Sequence, residues 1–204
     1  MSKPAPDRSS LRFLLREGTR EEHDGLDRSF AALLPPRDRA VYHHFIRMNH
    51  AAHEAVETWL ADGPLIAWLP EWPSWSRLDD LRSDMEHMGL EIVCRPRFLP
   101  GASALPQSVG VAYVLEGSRL GAVYIHREMI RHAIMDHWPQ DSFAYLAKSG
   151  EGRHFTTLAT RMVDLDFSPD DQALCIEAAR ATFGYFETLR QLTGQPADKV
   201  TETA

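Results

Sequence analysis

The segment SVGVAYVLEGSRLGAVYIHREMI, from Ser108 to Ile130, contains no proline and is rich in apolar residues, so it predicts one long helix. Gly117 and Gly121 are four residues apart, which places them on one face of that helix with Ser118 and Ala122 beside them. Each interior glycine costs a helix about 1 kcal/mol relative to alanine. A helical face without side chains therefore indicates that a flat or bulky group approaches the backbone there. Close helix–helix packing is the alternative explanation of the same spacing.

Length and composition predict one soluble domain. The chain has 204 residues, of which 44% are hydrophobic and 25% charged, and no run of eighteen apolar residues that could span a membrane. The first ten residues lack the apolar segment of a secretory signal. Cys94 and Cys175 form no motif, so we expect a cytoplasmic chain with buried, unreactive thiols. The net charge of -7 argues against nucleic acid as the main partner.

Proline and glycine breaks divide the chain into helices, and no β-type alternation occurs, so the predicted fold class is all-α. We expect a flexible leader over 1–8, one helical domain over 9–194 and a flexible tail over 195–204. Helices are predicted at 9–33, 36–61, 78–88, 106–132, 143–148, 153–165 and 169–193, with Ser168 as the last N-cap and a short helical turn plus irregular packing over 65–75.

A histidine lies in the middle of the apolar face of the first predicted helix. The face is formed by Leu11, Leu15, Thr19, His23, Leu26 and Phe30. A histidine in such a position is either a core residue or a ligand. Arg16 lies seven residues earlier on the same side, about 10 Å away at 1.5 Å per residue, which is similar to the distance from a haem iron to its propionates. Imidazole is an axial ligand of haem and arginine pairs with carboxylates, so together with the glycine face these two residues predict bound haem.

Two segments resemble the haem oxygenase family. LREGTREEHDGLD, from Leu15 to Asp27, resembles the N-terminal helix of that family, in which a basic residue, a threonine and a histidine recur at this spacing. YVLEGSRLGAVYI, from Tyr113 to Ile125, is similar to the distal helix of the bacterial branch, with its Gly-Ser-x-Leu-Gly signature. Weaker similarities follow in the family's order: SGEG at Ser149–Gly152, RM at Arg161–Met162 and EAARATF at Glu177–Phe183. The resemblance implies a single-domain, haem-oxygenase-like helical bundle.

The resemblance also implies roles for individual residues. His23 is expected to be the proximal iron ligand, and the two glycines of the distal helix are expected to let the backbone approach the haem. The implied haem-binding residues are Arg16, Thr19, His23, Tyr113, Gly117, Gly121, Arg153 and Arg161, of which the arginines would hold the propionates.

Ser118 occupies the place of an aspartate that orders water in the animal-type enzymes, as it does in the bacterial branch. With Gly117 and Gly121 it forms the predicted catalytic set, in which ordered water and backbone groups would serve in place of the carboxylate. The next residue, Arg119, is bulky and charged, and the sequence leaves open whether it points to solvent or crowds the pocket.

The activity implied is oxidative cleavage of haem, both substrate and cofactor, to biliverdin, Fe(II) and carbon monoxide. Because the sequence has no flavin or iron–sulfur motif, electrons are expected from an external donor such as ferredoxin or a reductase. A photoreceptor that uses biliverdin is a candidate partner. Two alternatives stay open: a non-catalytic haem carrier or sensor of this fold, favoured by Ser118 and Arg119, and a haem-free helical enzyme of similar architecture.

Overall fold

Helices form nearly all the regular structure of the computed structural model, which describes residues 10–29 and 38–194. They are α1 (Leu11–Gly18), α2 (Arg20–Ser29), α3 (Arg39–Ala61), α4 (Leu65–Trp68), α5 (Leu78–His87), α6 (Leu105–Arg131), α7 (Ile134–His137), α8 (Ala144–Ser149), α9 (His154–Arg161) and α10 (Pro169–Thr193), with 3-10 turns at Trp72–Trp75 and Met162–Asp164. No strand occurs among these residues, so the predicted all-α class is confirmed. The predicted leader and tail lie outside the described residues.

The first predicted helix is divided at Thr19. Ser10 caps α1, because its hydroxyl accepts a hydrogen bond from the Phe13 N–H at 3.4 Å. The Thr19 hydroxyl donates to the Leu15 carbonyl at 2.8 Å. The backbone of Thr19, with a φ of -119° and a ψ of 14°, lies outside the helical range. Such back-bonding by threonine bends helices. The prediction of one unbroken helix over 9–33 is therefore wrong at Thr19, and its end after residue 29 lies outside the described residues.

The core lies where the three long helices α3, α6 and α10 pack against one another. The last of them begins as the sequence predicts. The Ser168 hydroxyl accepts from the Asp171 N–H, and the Asp171 carboxylate accepts from the Ser168 N–H, each at 3.2 Å. Pro169 occupies the first helical position. This capping box fixes the start of α10 through local contacts alone.

Other features depart from the predictions. The short helix α7 was not predicted, and it follows Ala133 in a left-handed conformation with a φ of 50°. The helix predicted over 153–165 ends at Arg161 and continues only as the 3-10 turn. Cys175 is buried, but Cys94 is exposed, which corrects the expectation that both thiols are buried. Among the described residues, no helix is long and apolar enough to cross a membrane.

Candidate functional site

The long helix α6 has one face that the other described helices leave open. This glycine face is formed by Gly117, Leu120, Gly121 and Tyr124, and the last three are exposed. The long helix α10 packs against α6 and, separately, against α1 and α2. Neither α1 nor α2 packs closely against α6 in the described part of the chain. The N-terminal helices are therefore held near α6 without covering its glycine face.

The two glycines of this face differ from a third glycine in the same helix. A Cβ atom added to Gly121 would meet no heavy atom of the described residues within 4 Å, and one added to Gly117 would meet only Phe155 Cε2, at 3.9 Å. A Cβ on Gly110 would overlap the backbone carbonyl of Cys175 in α10. Close helix–helix packing therefore explains Gly110, but it is wrong as an explanation of Gly117 and Gly121.

His23 is an exposed residue of α2 and does not belong to the core. Its ring meets the ring of Phe183 in α10 edge-on, with centroids 6.0 Å apart and an interplanar angle of 71°. A neutral imidazole binds a metal through its unprotonated ring nitrogen, and an exposed ring can be reached by that metal. An exposed histidine on α2 and two open glycines on α6 are suited to hold a flat, iron-centred ring between them.

The predicted haem-binding residues other than His23 occupy different environments. Tyr113 of α6 contacts Phe155 of α9, with ring centroids 5.6 Å apart, and Phe155 also borders Gly117. Burial raises the pKa of Tyr113, and the positive charges of Arg12 and Arg16 in α1 partly lower it. The structure therefore brings Tyr113 and Gly117 together beside Phe155, and the charge of Arg16 acts on the Tyr113 phenol. Arg12 is also part of this region, although it was not singled out from the sequence.

Three other predicted residues lie less directly on this region. Thr19 is buried, and its hydroxyl is already bound to the Leu15 carbonyl. Arg153 is the exposed residue that precedes α9. The Arg161 guanidinium lies 3.7 Å from the Glu71 carboxylate, so a propionate would have to compete with that carboxylate.

Arg119 neither points to solvent nor crowds the glycine face. It is 3% exposed, and its Nη1 donates to Glu116 Oε1 at 2.6 Å. Burial raises the pKa of Glu116 to about 7, and Arg119 partly opposes that rise. The Arg119 Nη2 atom is buried without a hydrogen-bond partner among the described residues. The ion pair between Glu116 and Arg119 spans Gly117 and Ser118 along the helix. Glu116 also lines a cavity of about 290 Å³, whose other lining residues include Glu57, Trp72, Trp75 and Ser76.

A buried polar chain runs beside Ser118, and the sequence gave little sign of it. Tyr145 of α8 donates to Asn49 at 3.2 Å, and its hydroxyl lies 3.5 Å from His53 Nε2. The His53 Nδ1 atom lies 2.7 Å from the Glu57 carboxylate. The Ser118 hydroxyl donates to the Leu115 carbonyl at 2.8 Å. Burial raises the pKa of the Tyr145 phenol, and Ser118 partly opposes that rise.

The chain continues from Glu57 to the surface. The Ser76 hydroxyl, on an exposed residue, donates to the second oxygen of the Glu57 carboxylate at 2.5 Å. In the sequence the only signal was the spacing of His53 and Glu57, which places them on one helical face. Asn49, Tyr145 and Ser76 come together only through tertiary packing.

His154 lies beside Trp75 and Glu116, two of the residues that line the cavity. Its ring stacks on Trp75 with centroids 4.7 Å apart and an interplanar angle of 11°, and its Nδ1 lies 4.0 Å from Glu116. Burial, together with the positive charges of Arg119 and Arg77, lowers the pKa of His154 to about 4. The imidazole is therefore neutral in the folded protein at neutral pH.

The fold is that of a known haem oxygenase. The chain is similar to the NO- and CO-bound haem oxygenase from Neisseria meningitidis, with a TM-score of 0.74 and 25% sequence identity over 93% of this chain and 95% of that chain. No protein-family model and no curated protein matches the chain. The predicted haem-oxygenase-like fold is thereby confirmed, whereas the assignment to the bacterial branch stays a prediction.

Proposed function

We propose that this protein is a haem oxygenase, which opens haem to biliverdin and releases Fe(II) and carbon monoxide. The open glycine face of α6 is the observation that carries the proposal. Gly117 and Gly121 forgo helix stability of about 1 kcal/mol each, and no described residue packs closely enough to require either glycine. The shared fold with the Neisseria enzyme and the accessible His23 support the same conclusion.

Each part of the site has a task in this proposal. When bound, haem supplies the iron that activates dioxygen and the ring carbon that is oxidised. His23 would hold the iron from the α2 side, while Gly117 and Gly121 would let the α6 backbone lie against the opposite face. Arg16 would bind a propionate. Electrons would come from an external donor such as ferredoxin or a reductase, and a biliverdin-using photoreceptor would be a consumer of the product in a cytoplasmic setting.

The buried polar chain gives the reaction a route for protons. Ring opening consumes protons at the bound haem. In the proposal Glu57 takes up a proton near the surface, His53 and Tyr145 pass it along, and Ser118 presents it beside the glycine face. Glu57 and His53 lie 2.7 Å apart and His53 and Tyr145 3.5 Å apart, whereas the Ser118 hydroxyl bonds to the Leu115 carbonyl and would have to turn towards Tyr145 to receive the proton.

Replacing Tyr145 by phenylalanine tests that route, because it removes one hydroxyl and preserves the ring. We expect haem affinity to stay unchanged while the rate of biliverdin formation falls and its pH dependence shifts. Equal turnover by Tyr145→Phe and the parent protein would remove Tyr145 from the route.

The function itself is tested by titrating the protein with haemin and then adding ascorbate, or a ferredoxin system, in air. The expected result is a sharp Soret band that decays to the spectrum of biliverdin. A Soret band that persists would overturn the proposal in favour of a carrier or sensor. No Soret band would overturn it in favour of a haem-free enzyme. The carrier alternative drew on Arg119, and it loses that argument because Arg119 is buried against Glu116.

A further inference from the structure

One face of α10 contacts the two N-terminal helices through three residues. Ile176, Arg180 and Phe183 are four and three residues apart, which places them on the same side of α10. Ile176 packs against Gly18 so closely that a Cβ added to that glycine would lie 2.7 Å from Ile176 Cγ2. Phe183 meets the ring of His23 edge-on. Arg180 lies between these two contacts along α10.

The Arg180 side chain joins the end of α1 to the start of α2. Its Nε donates to the Gly18 carbonyl at 2.6 Å, and the same nitrogen lies 3.6 Å from Glu22 Oε1. Gly18 is the last residue of α1, where helix carbonyls lack partners within the helix and a cation is favourable. Glu22 is the third residue of α2 and immediately precedes His23. The guanidinium group therefore bridges the two helices one residue before the candidate iron ligand.

The junction between α1 and α2 depends on contacts of this kind. The helix is interrupted at Thr19, so a continuous backbone does not fix the direction of α2 relative to α1. Neither helix packs closely against α6 in the described part of the chain, whereas α10 packs against both. The position of His23 therefore depends on how α10 holds this junction.

We infer that Arg180 is a positioning residue for the iron ligand: by tying Gly18 to Glu22 it keeps His23 where it can bind the iron. The inference rests on the proposed function. Arg180 acts through His23 and does not itself contact the haem. Without its bridge, α2 samples other orientations, and the apparent affinity for haem falls with the fraction of molecules in the binding orientation.

A double-mutant cycle tests this inference by comparing the effect of Arg180→Ala in two backgrounds. In the protein that retains His23, we expect Arg180→Ala to weaken haemin binding roughly two- to tenfold, the size of one hydrogen bond. In the His23→Ala background, with imidazole added as the iron ligand, Arg180→Ala should leave the haemin affinity unchanged. Arg180→Lys can still donate to the Gly18 carbonyl, so it should recover part of the loss.

Two further readouts and a control separate positioning from a general loss of stability. Resonance Raman spectra of the ferrous protein should show a broader or shifted iron–histidine band in Arg180→Ala. In the apoprotein, the backbone amides of α2 should exchange with solvent deuterium faster than in the parent. Arg190→Ala removes another arginine of α10, which pairs with Glu187 of the same helix at 2.6 Å, and it should change none of these quantities.

The same loss of affinity in both backgrounds would overturn the inference, because Arg180 would then act on haem without His23. Parent-like affinity and parent-like exchange of α2 in Arg180→Ala would also overturn it, and both results would leave the proposed function intact. Parent protein that does not bind haemin would overturn the proposed function and this inference with it.

Discussion

Replacement of Gly121 by alanine should stabilise the protein without ligand and weaken haem binding at the same time. Gly121 lies inside α6, is exposed, and has no heavy atom of the described residues within 4 Å of the position that a Cβ would take. Alanine therefore gains helix propensity of about 0.5–1 kcal/mol without a steric cost. In a chain of this length, about 1 kcal/mol raises the melting temperature by about 2–4 °C.

Haem binding should respond in the opposite direction. If the porphyrin lies against the α6 backbone, the added methyl group occupies space that the ring needs. Overpacking of this kind costs about 1–3 kcal/mol, which corresponds to a loss of affinity of roughly 5- to 150-fold. The two effects are separable because thermal unfolding is measured on the apoprotein and affinity is measured by haemin titration.

Gly184→Ala is the matched control. Gly184 is an exposed glycine inside α10, and a Cβ there would also have no described neighbour within 4 Å. It should raise the melting temperature by a similar amount without a loss of haem affinity. Unchanged haem affinity in Gly121→Ala would refute the close approach of haem to α6. A lower melting temperature of its apoprotein would refute the open glycine face.

Three further substitutions test other parts of the structure. His23→Ala should abolish the spectrum of histidine-ligated haem, which added imidazole should restore; a variant with the parent spectrum would exclude His23 as the iron ligand. Gly110→Ala should lower the free energy of unfolding by about 1–3 kcal/mol, because a Cβ there overlaps the Cys175 carbonyl; urea unfolding as stable as that of the parent would contradict the packing. His154→Phe should make the protein more resistant to acid. The pKa of His154 is about 4 when folded and 6.5 when unfolded, so the unfolded chain binds more protons between these values and the parent loses stability as pH falls from 6.5 to 4. The free energy of unfolding, measured over that range, should increasingly favour His154→Phe over the parent as the pH approaches 4. A difference between the two proteins that does not change with pH would count against the low pKa.

Features that depend on neighbours along the chain could be predicted from the sequence. The capping box at Ser168 and the cap at Ser10 involve atoms three residues apart, so their geometry follows from local rules. Asp38 was predicted inside the second helix, but it is the N-cap of α3, which begins at Arg39. The limits of the long helices followed in the same way from proline and glycine breaks. Thr19 was the local exception, since a threonine inside a helix can bend it or leave it straight, and the outcome depends on what the hydroxyl binds.

Burial was decided by tertiary structure. Gly110, Gly117 and Gly121 occur in one helix with the same local character, yet α10 covers the first and leaves the other two open. The same packing buries Arg119 against Glu116, exposes Cys94 and brings Tyr145 beside His53, 92 residues away in the chain. Spacing in the sequence predicts which residues share a helical face, because the helix period is fixed. It does not state which face another helix covers, because that depends on how distant segments pack.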